Sequence, residues 1–98
     1  MYARAVRFTD VTQERIDEIK QRIDESDGPP PGVPASAMKL LYDSNQGTAV
    51  FIGFFESEDD LRQADEALGQ MDASEVPGTR ASVDQCEVVI EREAGDRA

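Results

Sequence analysis

The chain has no histidine and no tryptophan, and its 98 residues include a single cysteine. One thiol cannot form an intramolecular disulfide, and without histidine it cannot build a zinc site either. No apolar run approaches the ~20 residues of a membrane span. The first residues are not a signal peptide, because Arg4 and Arg7 interrupt their most apolar part. We therefore expect a cytoplasmic protein that has no bound metal, no cofactor and no membrane contact.

Positive charge is also scarce, with 10 Lys and Arg against 21 Asp and Glu and a net charge of −11. Such a field repels phosphate backbones, so nucleic acid is excluded as a partner, and it keeps a protein in solution. A chain of 98 residues is long enough for one modest core. We predict a single domain over residues 1–93, followed by a frayed C-terminal tail over residues 94–98.

The first half of the chain reads as strand, helix and hairpin. Residues 2–8 are rich in strand formers, and Ile16, Ile19 and Ile23 then recur at helical spacing within residues 10–25. Either Asp10 with Gln13 or Thr12 alone can cap this helix. After a connector rich in proline and glycine, strands over residues 37–43 and 48–56 flank the turn "SNQG" and form a hairpin.

The second half reads as a helix and a last strand. Ser57 is the expected cap of the second helix, whose apolar stripe is Leu61, Ala64, Leu68 and Met71. A loop leads to a strand over residues 82–93, "SVDQCEVVIERE". The order βαββαβ predicts an α+β ferredoxin-like sandwich, an antiparallel four-stranded sheet with both helices on one face.

The third strand, "TAVFIGFFE", has no polar residue between Ala49 and Phe55, although a strand with one wet face should alternate. It is central in this topology, so only one of its two apolar sets can meet the helices. Leaving the other set in water forgoes about 1.5–3 kcal/mol for each large side chain and creates a patch that soluble monomers rarely carry. We therefore expect a closed two-fold homodimer through the free sheet face. The two sets are Ala49, Phe51 and Phe55 on one side and Val50, Ile52 and Phe54 on the other.

Nearly the whole chain resembles a known superfamily. The likeness rests on "MYARAVRF", the hairpin "MKLLYDSNQGTAVFIGFFES", the helix start "FFESEDDLRQADEAL" and the closing "SVDQCEVVIERE". These segments are similar to those of the dimeric α+β barrels, and among them of the small antibiotic-biosynthesis-monooxygenase-like domains. The resemblance implies a dimeric barrel with a ligand pocket between sheet and helices. It also implies cofactor-independent oxygenation if the protein is an enzyme. Haem-degrading relatives use His and Trp, so their activity is not expected here.

A non-catalytic structural or regulatory ligand-binding dimer is the alternative function, and no catalytic residue is assigned. The polar candidates lie on central strands, where an arginine directed into protein needs a partner. One interpretation is that Arg4 or Arg7 forms an ion pair with Glu87 or Glu91, or an ion pair across the dimer. The other is a hook for a small aromatic or anionic ligand, with a tyrosine as second donor and Lys39 as an edge-strand equivalent. The predicted pocket consists of Tyr2, Arg4, Arg7, Tyr42, Phe51 and Phe54.

Three further motifs have structural explanations. "DSNQG" begins like a calcium loop, but Phe54 stands at the twelfth position where a bidentate Glu is required, so a hairpin turn is predicted. The acidic start of the second helix, "ESEDD", matches the positive end of the helix dipole. Cys86 has no histidine to activate it, and we predict that it is a packed core thiol.

Overall fold

The computed structural model describes residues 1–25, 33–70 and 76–92. Met71 of the predicted helix stripe and the predicted frayed tail over residues 94–98 lie outside these ranges. The elements follow the predicted βαββαβ order: β1 Tyr2–Thr9, α1 Gln13–Glu25, β2 Ala37–Asp43, β3 Thr48–Phe55, α2 Glu58–Gly69 and β4 Thr79–Glu87.

The four strands form one antiparallel sheet in the order β2-β3-β1-β4, so β1 and β3 are its central strands. The pairing of β1 with β3 is continuous from Tyr2↔Phe55 to Phe8↔Ala49. The pairing of β1 with β4 shifts register between Arg7 and Phe8. This is the predicted ferredoxin-like α+β fold.

Both helices begin at hydroxyl caps. The backbone N–H of Arg15 donates to Oγ1 of Thr12 at 3.2 Å, which selects Thr12 from the two predicted caps of α1. The backbone N–H of Asp60 donates to Oγ of Ser57 at 3.1 Å, which confirms the predicted cap of α2. Each cap satisfies an amide that the first helical turn leaves without a backbone acceptor.

The β2–β3 connection is the predicted hairpin turn. Oδ1 of Asp43 accepts hydrogen bonds from the backbone N–H groups of Asn45 at 3.0 Å and Gln46 at 3.3 Å. Gly47 has a φ of 66°, in the left-handed region that glycine adopts without strain. The Asp43 carboxylate therefore holds a turn, and the calcium-loop interpretation is not needed.

The core consists of two clusters on the same face of the sheet, one under each helix. Helix α1 contributes Ile16 to the first cluster, and α2 contributes Leu61 and Ala64 to the second. The predicted α1 stripe is wrong at its end, because Ile23 is 44% exposed. The first cluster contains Val6, Phe8, Val11, Ile16 and Ala49, and the second contains Val33, Phe55, Leu61 and Ala64.

Strand β4 differs from its prediction over residues 82–93, since it begins at Thr79 and ends at Glu87. Its length follows its partner, because it pairs with β1 from Thr9↔Thr79 to Tyr2↔Glu87. The prediction for Cys86 is also wrong for the single chain, where this thiol is exposed. Cys86 pairs with Ala3 and therefore lies on the sheet face away from the helices.

Across residues 1–25, 33–70 and 76–92, neither helix has the length and apolar character needed to cross a bilayer.

Candidate functional site around Arg4

The helix-covered face of the central strands contains one buried charged side chain, that of Arg4. Side chains alternate along a strand, so Arg4 shares this face with Tyr2, Val6 and Phe8 of β1. On β3 the same face is closed by Ala49 at 1% and Phe55 at 0% exposure, as the two-sided pattern of this strand predicts. Arg4 itself is 4% exposed.

Arg4 is held by an ion pair with helix α2. Its Nε donates to Oδ1 of Asp65 at 2.8 Å, and the Asp65 side chain is 38% exposed. Leu61 and Ala64 dock α2 on the sheet, and Asp65 follows Ala64 at the border of this buried stripe. A cation taken out of water needs such a partner, because its desolvation is otherwise uncompensated.

The predicted partners of Arg4 on the fourth strand are wrong. Glu87 lies opposite Tyr2 in the β1–β4 register, and both Glu87 and Glu91 are exposed. Sequence reasoning missed Asp65, although a signal was present. Asp65 comes four residues after Leu61, which puts its side chain next to the apolar stripe of the helix and not on the opposite face.

Gly53 stands opposite Arg4 in the β1–β3 register and is buried. A Cβ atom at Gly53 would come within 3.0 Å of Cζ of Phe55. Because the β1–β3 register is continuous here, this glycine marks close packing and not a bulge. The Phe55 ring thus fills the space over Gly53, on the helix side of the sheet and next to Arg4.

The structure divides the six predicted pocket residues between the two faces of the sheet. Tyr2 lies two residues from Arg4 along β1, about 7 Å away by strand geometry. Phe51 on β3 is the diagonal neighbour of Arg4, about 7–8 Å away. Tyr42 shares this face, but it lies two strands and four residues away, about 16 Å. Arg7 and Phe54 lie on the opposite face.

The Arg4 guanidinium retains donors after its ion pair is formed. A guanidinium carries five N–H groups, and Asp65 uses the one on Nε. Within the described ranges, no fully buried side-chain nitrogen or oxygen lacks a hydrogen-bond partner. The two terminal nitrogens of Arg4 have no partner among these residues, so they keep some access to the surface. Tyr2 and Phe51 share the face of Arg4 but lie on either side of it along the strands, Tyr2 against the second core cluster and Phe51 against the first.

A separate depression of about 400 Å³ lies on the outer side of α1. Its walls are polar and charged, and they do not include the sheet, so it is not the pocket predicted between sheet and helices. Among the residues that the structure describes, no cluster of His, Cys, Asp and Glu could hold a metal ion. The lining residues of the depression are Asp17, Lys20, Gln21, Asp24 and Glu25.

The face away from the helices, which we call the open face, is apolar at its centre. Val50, Ile52 and Phe54 of β3 are half-buried there, and Leu41 of β2 is 51% exposed. Around this centre are exposed polar side chains, among them Arg7, Lys39 and Asp84.

No family model matches the chain, and no curated protein matches it. Its function is therefore inferred from its fold and its side chains.

Proposed function

We propose that this protein is a small cytoplasmic homodimer of the dimeric α+β barrel type, similar to antibiotic-biosynthesis-monooxygenase-like domains. In this proposal each copy binds a small aromatic ligand with a carbonyl, phenolate or carboxylate oxygen between its sheet and its helices. The observation that supports the site is the buried Arg4, fixed through Nε while its terminal nitrogens have donors to spare.

The ion pair determines which ligands fit this site. Asp65 already balances the charge of Arg4, so the ligand need not be a full anion. It must accept hydrogen bonds, and an oxygen facing the two terminal nitrogens can accept two in parallel. On one side of Arg4 along the strands, Tyr2 would supply a phenolic donor; on the other side, Phe51 would supply an aromatic surface for an offset or edge contact.

The open face supports the proposed homodimer. Val50, Ile52 and Phe54 cannot reach the helices of their own chain, because they are on the other side of the sheet from both core clusters. A second copy applied through the same face would remove these side chains from water. Each large side chain buried in this way contributes about 1.5–3 kcal/mol.

This proposal has two versions, one in which the protein catalyses a reaction on its ligand and one in which it only binds it. In cofactor-free oxygenation, the version that the resemblance implies, a naphthol and O₂ give a naphthoquinone and water, and the naphthol supplies all the electrons. Arg4 would then hold the oxygen of the naphtholate. The alternative is a non-catalytic binding dimer, structural or regulatory. Its support is that the Arg4–Asp65 pair already explains the buried charge without any ligand.

Binding of salicylate and of naphthol, measured by isothermal titration calorimetry, tests the site. Arg4→Met should weaken binding about 10–100-fold, the value of hydrogen bonds to a charged group. Arg7→Met is the matched control, since it removes the same side chain from the opposite face of the same strand, and its affinity should equal that of the wild type. The site is refuted if Arg4→Met binds as tightly as the wild type, or if neither probe binds.

Oxygen uptake with naphthol distinguishes the two versions in the same preparations. Uptake that requires Arg4 and yields one naphthoquinone per O₂ supports the enzyme. Binding without oxygen uptake supports the non-catalytic dimer.

A further inference from the structure

We propose that the Arg4 site selects neutral aromatic carboxamides over aromatic carboxylates, and that Gln85 of β4 is one of its binding residues. The inference rests on the proposed function, because it specifies the ligand class of the same site. It is drawn from the groups that surround the Arg4 guanidinium on its different sides.

The side of Arg4 that faces strand β3 is closed. Gly53 lies opposite Arg4 there, and a Cβ atom on it would come within 3.0 Å of the Phe55 ring. Along β1, Arg4 is flanked by Val6 and Tyr2, which pack with the first and the second core cluster. Within the sheet, this leaves the side of β4 as the approach to the terminal nitrogens of Arg4.

Strand β4 presents Gln85 on this approach. Gln85 is directly opposite Arg4 in the β1–β4 register, so both side chains are on the same face, with about 4.5–5.5 Å between their Cβ atoms. Gln85 is exposed, and its side-chain amide has no hydrogen-bond partner among the described residues. An amide carries an acceptor oxygen and two N–H donors, so Gln85 can bind either kind of polar group on a ligand.

Asp65 supplies an acceptor beside the donors of Arg4. Only its Oδ1 accepts from Nε of Arg4, at 2.8 Å, and the Asp65 side chain is 38% exposed. Its second oxygen, Oδ2, accepts no hydrogen bond from any residue within the described ranges. Arg4 and Asp65 together therefore present N–H donors next to a carboxylate acceptor.

A primary carboxamide is complementary to this pair. Its carbonyl oxygen accepts from a terminal nitrogen of Arg4, and its N–H donates to Oδ2 of Asp65. A carboxylate has only acceptor oxygens, so its second oxygen would face the Asp65 carboxylate with no proton between them. The net charge of −11 adds to this repulsion.

The two new binding residues thus have separate effects on the ligand. Asp65 determines the choice between carboxamide and carboxylate, because it can only accept a hydrogen bond. Gln85 can rotate its amide to donate or to accept, so it contributes affinity for both classes.

Isothermal titration calorimetry with naphthamide and naphthoate at neutral pH tests the ligand class. The two probes share one ring system and differ in the group that meets Arg4 and Asp65. The wild type should bind naphthamide at least about tenfold more tightly, because naphthoate exchanges a hydrogen bond to Asp65 for a contact between like charges.

The outcomes separate this inference from the proposed function. Equal affinities for the two probes, or tighter binding of naphthoate, overturn the selection of carboxamides, while Arg4-dependent binding of salicylate or naphthol would still support the site. If none of the four probes binds, the proposed function fails and the inference fails with it.

A charge-removing substitution tests the role of Asp65. Asp65→Asn should bring the ratio of the two affinities to about one or below, since it removes the negative charge at nearly constant size. Glu66→Gln is the matched control, because it removes the same charge from the exposed neighbouring position of α2, and it should keep the wild-type ratio. The ratio compares two probes in one sample that circular dichroism shows to be folded, so a loss of stability does not change it. A wild-type ratio in Asp65→Asn contradicts the inference.

Gln85→Met tests the second residue at an exposed position, where the fold does not depend on the side chain. It should weaken the binding of both probes about 3–10-fold, the value of a neutral hydrogen bond, and leave their ratio unchanged. Gln21→Met, on the outer side of α1, is the control and should bind both probes like the wild type. Wild-type affinities in Gln85→Met would overturn its assignment to the site.

Discussion

Replacing Asp65 should destabilise the protein far more than replacing its partner Arg4. The asymmetry comes from burial, since Arg4 is 4% exposed while Asp65 is 38% exposed. Asp65→Ala leaves an uncompensated cation against the sheet, whereas Arg4→Met leaves a carboxylate that water can reach. Methionine also refills the space of the arginine stem with apolar atoms.

The magnitude follows from what happens to the charge that remains. Removing one partner of a buried ion pair lowers the free energy of unfolding by about 3–5 kcal/mol when the charge that remains is buried. The partial exposure of Asp65 favours the lower end of this range. We expect about 3 kcal/mol for Asp65→Ala and at most about 1 kcal/mol for Arg4→Met. In a domain of this size, about 3 kcal/mol lowers the melting temperature by about 12–24 °C.

Urea unfolding followed by circular dichroism, at one fixed protein concentration, measures both variants and the double variant. The double variant Arg4→Met/Asp65→Ala should be close to Arg4→Met alone, because no unpaired cation remains. Equal losses in the two single variants, or a loss below about 1 kcal/mol for Asp65→Ala, would refute the assignment of a buried ion pair.

Two further predictions concern packing and assembly. Gly78→Ala should destabilise by about 2 kcal/mol or more, since its Cβ would stand 2.3 Å from the backbone oxygen of Thr9, whereas Gly69→Ala, with nothing within 4 Å, should be neutral or slightly stabilising in the same urea titration. Leu41→Glu should leave the fold intact, because this side chain is 51% exposed, but should weaken the dimer at least about tenfold by analytical ultracentrifugation. A Leu41→Glu dimer as tight as the wild type would contradict the open-face interface.

The fold was predictable because local signals agreed with one another. Helical spacing of Ile16 and Ile19, the cap at Ser57 and the glycine turn at Gly47 each determine an element from nearby residues. The end of β4 was not predictable, because Val88, Val89 and Ile90 have strand-forming side chains. Whether they form a strand depends on a partner strand, and β1 pairs with β4 only as far as Glu87.

The site was predictable only in part, for a similar reason. Alternation along β1 places Tyr2 and Arg4 on one face and Arg7 on the other, but it does not say which face the helices cover. The partner of Arg4 depends on how α2 lies across the sheet, which brings Asp65 within 2.8 Å. The hydrophobic pattern of one sequence does not predict contacts between elements that are distant along the chain.

Sedimentation equilibrium of the wild-type chain at micromolar concentration tests most directly whether the two-sided strand β3 requires a second copy. The account predicts a particle of twice the 10.8 kDa chain mass. A species of 10.8 kDa across the whole concentration range would contradict it, because Val50, Ile52 and Phe54 would then remain on an uncovered sheet face.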